Sequence, residues 1–323
     1  PWQITAEHFH ANPEGVRERF ARLLGADTDS IALVPGVSYG ISIASSTLPL
    51  LPGQSILVIQ EQFPSNIYSW RKKAGISGGH IVTVPRPENY DWTSAILDHL
   101  DENVGIAALP HCHWTDGSRL DLEKIGRRCR EIGASLVIDG SQSLGAMPFD
   151  LERIQPDFLV TAGHKWLFGA YGYSYLYVAP KWIETCTPLE ENWLNREGSE
   201  DLSRLAEYRD GYRPGARKLD FGECSSFMLT PVNSAALDLL LEWGVPNIAE
   251  TIQQHVDQIV EHAKALGLGT IPKAHRSPHM TGVMLDKPIT VEFVRAFKKE
   301  NVYLSLRGQS IRIAPHVYTT QED

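Results

Sequence analysis

The stretch "VTAGHKWLFGAYG" (residues 160–172) carries the strongest local signal in the chain. Lys165 follows an apolar run and a Gly-His step, where a buried strand would leave the core. Burial at such a point lowers the pKa of a lysine and leaves a neutral amine, which can form a Schiff base with a carbonyl compound. The stretch alone is equally compatible with an exposed lysine at a strand end.

Short apolar runs rich in β-branched residues recur along the chain and predict buried strands. Between several of them lie helical patterns, such as "DLEKIGRRCREIGA" (121–134), where apolar residues fall at spacings of three and four. The alternation predicts a parallel α/β sheet, either open or closed as a barrel. The runs lie at 31–35, 55–60, 80–85, 105–110, 135–140, 157–162 and 173–179.

The alternation ends near residue 181, where a long polar segment begins. Such a segment indicates a functional loop or an excursion between elements. Two helical stretches and a few short strand-like runs follow it. We therefore predict a large domain at 1–244 and a small C-terminal domain at 245–323.

Composition favours a small-molecule partner. The chain of 323 residues has a net charge of −9, which argues against a basic face that would bind nucleic acid or an anionic membrane. No apolar run reaches the roughly 18 residues of a membrane span, and the N-terminal residues do not resemble a signal peptide. The four cysteines form no C-x-x-C pair, which predicts neither a zinc site nor a disulfide framework and favours a reducing cytoplasm.

Asp139 ends the apolar run of "SLVIDGSQSLG" (135–145), 26 residues before Lys165. Neighbouring parallel strands deliver their carboxyl ends to one edge of a sheet, where α/β proteins bind ligands. A carboxylate there could keep a pyridine nitrogen protonated, which makes the ring an electron sink. The alternative is an Asp-Gly pair that only forms a turn.

The stretch "GVSYG" (36–40) has two interpretations. A strand, turn and helix would place backbone N–H groups and the Ser38 hydroxyl at a helix N-terminus, which suits a phosphate. The stretch also fits the Gly-x-Ser-x-Gly elbow of serine hydrolases, with Ser38 as nucleophile. No oxyanion-loop motif precedes Ser38 and no Asp–His pair stands out after it, so the phosphate site is favoured.

With the phosphate turn, Asp139 and "GHK" in this order, the sequence resembles the class V aminotransferase family of pyridoxal-phosphate enzymes, which includes cysteine desulfurases, kynureninases and isopenicillin-N epimerase-like proteins. The resemblance runs from about Asn12 to the end. It implies the fold-type I architecture: a mostly parallel sheet with helices on both faces and a small C-terminal α+β domain. It also implies pyridoxal 5'-phosphate, an amino-acid substrate and a homodimer. Aminotransferase, epimerase and lyase reactions stay open, as does a non-catalytic module that only binds the cofactor.

The resemblance assigns roles to individual residues. Lys165 matches the lysine that holds the cofactor as an internal aldimine and moves protons at the substrate α-carbon. Asp139 matches the partner of the pyridinium nitrogen, and Arg312 matches the arginine that binds the substrate α-carboxylate, with Arg307 as its neighbour. The alternative for Arg307 is a surface arginine on an edge strand. The other implied cofactor contacts are Val37, Ser38, Thr161 and His164 at the phosphate, Gln142 at the phenolic oxygen, Phe63 of "EQFPSN" (61–66) stacked on the ring, and His113 of "LPHCHWTDG" (109–117) on the cofactor or substrate side. The alternative for His113 is a histidine of the core.

The sequence departs from the family pattern at two points near the site, and one pair of histidines raises the question of a metal. No cysteine follows Cys224, which argues against sulfur transfer through a protein persulfide. In "FGECS" (221–225), Glu223 stands near the threonine that in relatives reaches the phosphate of the neighbouring subunit, a contact that Ser225 could remake. His111 and His113 would share one face of a strand like a metal pair, but no third ligand is near, and we predict no metal site.

Overall fold

A seven-stranded sheet forms the centre of the computed structural model, which describes residues 2–285, 290–303, 305–307 and 310–322. Each of the seven apolar runs forms a strand. Alternate residues of one strand enter two different cores, as Leu33 and Val34 do, so the sheet is buried on both faces. The strands are β1 (Ile31–Val34), β2 (Ser55–Ile59), β3 (His80–Val84), β4 (Val104–Pro110), β5 (Ser135–Asp139), β6 (Phe158–Ala162) and β7 (Ser174–Val178).

The strand order is β1-β7-β6-β5-β4-β2-β3. All neighbouring pairs from β6 to β3 are parallel, whereas β7 runs antiparallel to both β6 and β1. The sheet is therefore open and mostly parallel, and the predicted fold class is confirmed. Because β1 runs in the same direction as β4, β5 and β6, these four strands deliver their carboxyl ends to one edge.

Ten helices are found in the described ranges, and most of them pack on the sheet. Alpha-helix α5 buries Leu122, Ile125 and Cys129, which is the stripe predicted from the spacing of its apolar residues. The helices are α1 (His8–Leu24), α2 (Val37–Thr47), α3 (Tyr68–Ser77), α4 (Trp92–His99), α5 (Leu122–Ile132), α6 (Leu151–Ile154), α7 (Pro180–Ile183), α8 (Leu229–Trp243), α9 (Val245–Ala265) and α10 (Val291–Lys299). None of them, in the part of the chain described, has the length and apolar character needed to cross a bilayer.

A second, smaller sheet lies near the C-terminus. Its order is β10-β11-β9-β8, and all pairs are antiparallel. The strands are β8 (Gly269–Thr270), β9 (Thr281–Met284), β10 (Ser305–Arg307) and β11 (Ser310–Ile313). Together with α10 they form the expected small α+β unit. The apolar face of α9 belongs to the same core as the large sheet, and the domain boundary at 244/245 stays a prediction.

A buried ion pair fixes α1 against β1. The Arg17 side chain is fully buried, and its Nη2 lies 2.5 Å from Oδ2 of Asp220. Asp220 Oδ1 accepts a second hydrogen bond, 2.8 Å long, from the Leu33 N–H, while Arg17 also donates to the Ile31 carbonyl. The pair therefore joins a helix, a strand and the segment before α8.

Candidate active site

A cavity of about 260 Å³ lies at the edge where the carboxyl ends of β1, β4, β5 and β6 meet. This is the position expected for a ligand in an open α/β sheet. Seven predicted site residues line it: Val37, Ser38, Phe63, Asp139, Gln142, His164 and Lys165. The structure therefore brings together side chains that are up to 128 residues apart in sequence, Val37 and Lys165 being the extremes.

Lys165 lies on the connection that follows β6. Its Nζ is 5.5 Å from the centre of the Phe63 ring. Burial lowers the pKa of the Lys165 ammonium, the charge of Asp139 opposes that shift, and the charge of Arg312 adds to it. The local environment thus favours the neutral, nucleophilic amine more than water does.

Asp139 is the last residue of β5 and is 8% exposed. Its Oδ1 accepts a 3.0 Å hydrogen bond from the Ser141 N–H, which fixes the carboxylate against the turn that follows. The side chain lines the cavity, so this Asp-Gly pair both forms a turn and supplies a carboxylate to the site.

The first turn of α2 opens into the cavity. Among the described residues, the N–H groups of Val37 and Ser38 have no hydrogen-bond acceptor, as is usual at the start of a helix. Gly36, before the helix, has no heavy atom within 4 Å of the place where a Cβ would lie. An anion can therefore approach the backbone closely here.

The geometry at Ser38 does not favour a nucleophile elbow. Such an elbow holds its serine on a strained turn. Ser38 is the second residue of α2 and is not among the described residues with positive φ. Within the residues that the structure describes, no histidine forms a hydrogen bond with the Ser38 hydroxyl.

Two aromatic side chains form a wall of the cavity. The rings of Phe63 and Trp114 meet edge to face, with centroids 5.5 Å apart, and Trp114 Nε1 donates a 2.7 Å hydrogen bond to the Glu61 carbonyl. Trp114 was not among the predicted site residues. The alternation after β4 groups Trp114 with Cys112, which also lines the cavity, whereas His111 and His113 do not line it.

His113 lies outside the cavity, in contrast to the expected cofactor-side position. It is fully buried and stacks on Trp92 with ring centroids 5.3 Å apart, and its Nε2 lies 3.0 Å from the Gln60 carbonyl oxygen. Burial lowers the pKa of His113, which keeps the ring neutral. The structure thus shows a core histidine. No group of three or more metal-binding side chains occurs in the described ranges.

Thr161 and Arg312 also lie outside the set of lining residues. Thr161 is buried within β6, and its hydroxyl has no partner among the residues described. Arg312, on β11, donates a 2.8 Å hydrogen bond from Nη1 to the carbonyl of Trp114. Burial lowers the pKa of Arg312, and the charge of Arg307 adds to the effect. Arg312 is therefore adjacent to the aromatic wall.

Gln142 is held by contacts that the sequence did not predict. The backbone carbonyl oxygen of Gln142 lies 2.5 Å from Nε2 of His279 and accepts a 3.4 Å hydrogen bond from the Cys112 thiol. The His279 ring packs edge-on against Trp166, the neighbour of Lys165, with centroids 4.7 Å apart. Burial lowers the pKa of His279 to about 4, so a neutral ring supports this turn.

Ser225 makes its hydrogen bond within the chain. Its hydroxyl donates to the carbonyl of Phe9, and Glu223 is exposed. The Ser225 hydroxyl is therefore engaged, and this arrangement does not support the expectation that it replaces the threonine at a phosphate of a neighbouring subunit.

Comparisons with known sequences identify the family. The family model described as "Aminotransferase class-V" matches residues 3–320. The uncharacterized aminotransferase YcbU of Bacillus subtilis is 26% identical over 96% of this chain and 80% of its own length. Isopenicillin N epimerase of Streptomyces clavuligerus is 24% identical over 95% of this chain and 80% of its own length. A kynureninase of Deinococcus radiodurans is 27% identical over 73% of this chain and 55% of its own length.

Solved structures show the same fold. The complex of the cystine C–S lyase C-DES with its product cysteine persulfide superposes with a TM-score of 0.86 at 21% identity, covering 98% of this chain and 84% of that one. A C-DES variant with glycine covalently linked to the cofactor gives a TM-score of 0.85 at 20% identity, with coverage of 98% and 83%.

Proposed function

Because the chain belongs to the class V aminotransferase family, whose cofactor is pyridoxal 5'-phosphate, we propose that it is an enzyme that uses Lys165 to act on the α-carbon of an amino acid. The observation that carries the proposal is the placement of Lys165. Its amine is largely buried, faces the Phe63 ring and shares one cavity with Asp139.

The cavity suits the proposed cofactor at both ends. The free N–H groups of Val37 and Ser38 would bind the phosphate, with His164 beside them on the lining. Asp139 would hold a proton on the ring nitrogen, because an ionised carboxylate stabilises the cation next to it. Phe63 would cover one face of the ring, where an aromatic side chain stacks favourably on a cationic ring.

The bound cofactor supplies an aldehyde for the amine and a ring that withdraws electrons from the substrate. The chain supplies the remaining steps. Arg312 would hold the α-carboxylate through its two-pronged guanidinium and thereby orient the α-carbon toward Lys165. Lys165 would then remove or return the proton at that carbon, as a general base and acid. Trp114 and Phe63 would cover that side of the cavity with aromatic surface.

The cofactor linkage is tested by the visible absorption spectrum of the protein with added pyridoxal phosphate. We expect wild type to show a band that borohydride bleaches, and Lys165→Ala to lack it. Lys72→Ala, which removes an exposed lysine of α3, is the matched control and should keep the band. A wild-type protein without the band at saturating cofactor would refute the proposal. Hydrolysis of an ester that Ser38→Ala abolishes would then identify a serine hydrolase.

The class of reaction is tested by product analysis with a panel of amino acids. A new keto acid would identify an aminotransferase, loss of optical activity an epimerase, and pyruvate released with sulfide or ammonia a lyase. A protein that keeps the cofactor band but changes no amino acid in the panel, in spectrum or in product, would be a cofactor-binding module without catalysis.

The proposal includes a homodimer in the cytoplasm. Tyr171 lines the cavity yet is 81% exposed, with its ring 4.5 Å from that of His164, and a second copy would cover it. Sedimentation should give twice the mass of one chain, and a monomer would contradict this part. The four cysteines are free and buried, which suits a reducing compartment. Fractionation of the source cells tests the location.

A further inference from the structure

Two arginines share one face of the β10–β11 hairpin. Arg307 pairs with Ser310 and Arg312 pairs with Ser305, so the two arginines are diagonal neighbours across the strands. Residues in this relation point to the same side of a sheet and lie about 7–8 Å apart at the backbone. That separation is enough for two guanidinium groups to bind two different anions.

Both arginines contact Trp114, which lines the active-site cavity. Arg312 donates to its backbone carbonyl, while the guanidinium carbon of Arg307 lies 5.4 Å from the centre of its ring. The hairpin therefore brings two positive charges to one residue at the edge of the cavity.

These two arginines differ from a neighbouring arginine in their charge partners. Across the described ranges, neither Arg307 nor Arg312 forms an ion pair, whereas the nearby Arg86 is paired with both Asp116 and Glu61. The Nε of Arg307 is moreover buried without a partner among the described residues. A buried charged donor without an acceptor is costly, and an anionic ligand would remove that cost.

The α-carboxylate of a substrate would bind only one of these two arginines. In the proposed function, on which this step rests, the α-carboxylate binds Arg312 and leaves Arg307 without an anion. We infer that Arg307 binds a second carboxylate, and that the substrate is therefore an amino acid with a carboxylate on its side chain.

Calorimetric titration of the cofactor-loaded protein tests this inference without turnover. The probes are glutarate and pentanoate, which have the same carbon chain and differ by one carboxylate. Wild type should bind glutarate about tenfold more tightly, the amount expected for one added charge-assisted hydrogen bond. Arg307→Met should lose this preference and keep its pentanoate affinity. Arg312→Met should weaken both ligands. Arg127→Met, which removes an exposed arginine of α5, should change neither.

Each variant must first show the cofactor band, which reports an intact site. If Arg307→Met cannot be loaded, Arg307→Lys replaces it, and the single point charge should retain only part of the glutarate preference. Equal weakening of both ligands would show that the two arginines share one carboxylate, and unchanged affinities would place Arg307 outside the site. Either result overturns the inference and leaves the proposed function standing. A wild type without the band would instead refute the proposed function, and this inference with it.

Discussion

Replacing Arg17 by methionine removes the positive half of a fully buried ion pair. Asp220, whose side chain is 3% exposed, would keep its bond from the Leu33 N–H and lose its charge partner. Loss of one partner from a buried pair costs about 3–5 kcal/mol. We expect the lower end of that range, because methionine refills part of the volume and the Leu33 bond remains. Urea unfolding at pH 7 measures the loss as a lower midpoint at unchanged slope.

Two further variants define the cause of that loss. Arg19→Met, on the same helix, breaks an exposed pair with Asp238 and should cost about 1 kcal/mol or less. Adding Asp220→Asn to Arg17→Met should recover stability, since the unpaired buried charge is then gone. If Arg17→Met lost no more than Arg19→Met, or if the double variant were less stable than Arg17→Met, the buried pair would not hold α1 to β1 as described.

Gly145→Ala should lose more stability than Gly133→Ala in thermal unfolding. Both glycines have positive φ, which costs alanine about 1–2 kcal/mol. Of the two, only Gly145 would bring its new Cβ against a backbone carbonyl oxygen, that of Trp166 at 2.0 Å. Equal losses of stability in the two variants would contradict this clash. Burial alone would raise the pKa of Glu14, but hydrogen bonds and charges of two arginines lower it to about 2, so its ionised form stabilises the fold above pH 4.5 and less as the pH falls toward 2. Glu14→Gln should therefore be less stable than wild type at pH 7, and the difference in free energy of unfolding should shrink as the pH falls. A difference that stays constant with pH would contradict a role of the ionised Glu14. Burial lowers the pKa of His279 from 6.5 to about 4. Between these two pH values the unfolded chain carries a proton on this histidine and the folded chain does not, so the free energy of unfolding should fall as the pH drops from 6.5 to 4. His279→Phe should flatten that part of the urea-midpoint profile, and an unchanged slope would argue against it.

The strands could be predicted because their signal is local. Each apolar run matches a strand to within two residues at either end. Six of the strands are almost wholly buried and are therefore mostly apolar, whereas β3, at the edge of the sheet, is partly exposed. The reversed direction of β7 is not visible in "YSYLYVA". It follows from the short connection after β6, which leaves no room for a crossover helix. No helix was predicted over α1, where Pro13 and Gly15 disfavour one, and its packing against α8 outweighs them.

The lining of the cavity could be predicted where a residue lies at the end of an apolar run or three residues beyond it, as Ser38, Asp139 and Lys165 do. The strand end then dictates the edge at which the side chain lies. The choice between His113 and Trp114 depends on which face turns toward the cavity, and composition does not reveal it. His279 supports Gln142 across 137 residues of sequence, and no local pattern marks such a contact.

The order of the site along the chain has a consequence for biosynthesis. Among the residues that the structure describes, those that line the cavity lie between Pro35 and Ser174, whereas the two hairpin arginines come after residue 306. A ribosome releases the amino-terminal part first. The sheet and its cavity can thus assemble before β10 and β11 are made, and the two arginines then join a cavity that is already formed.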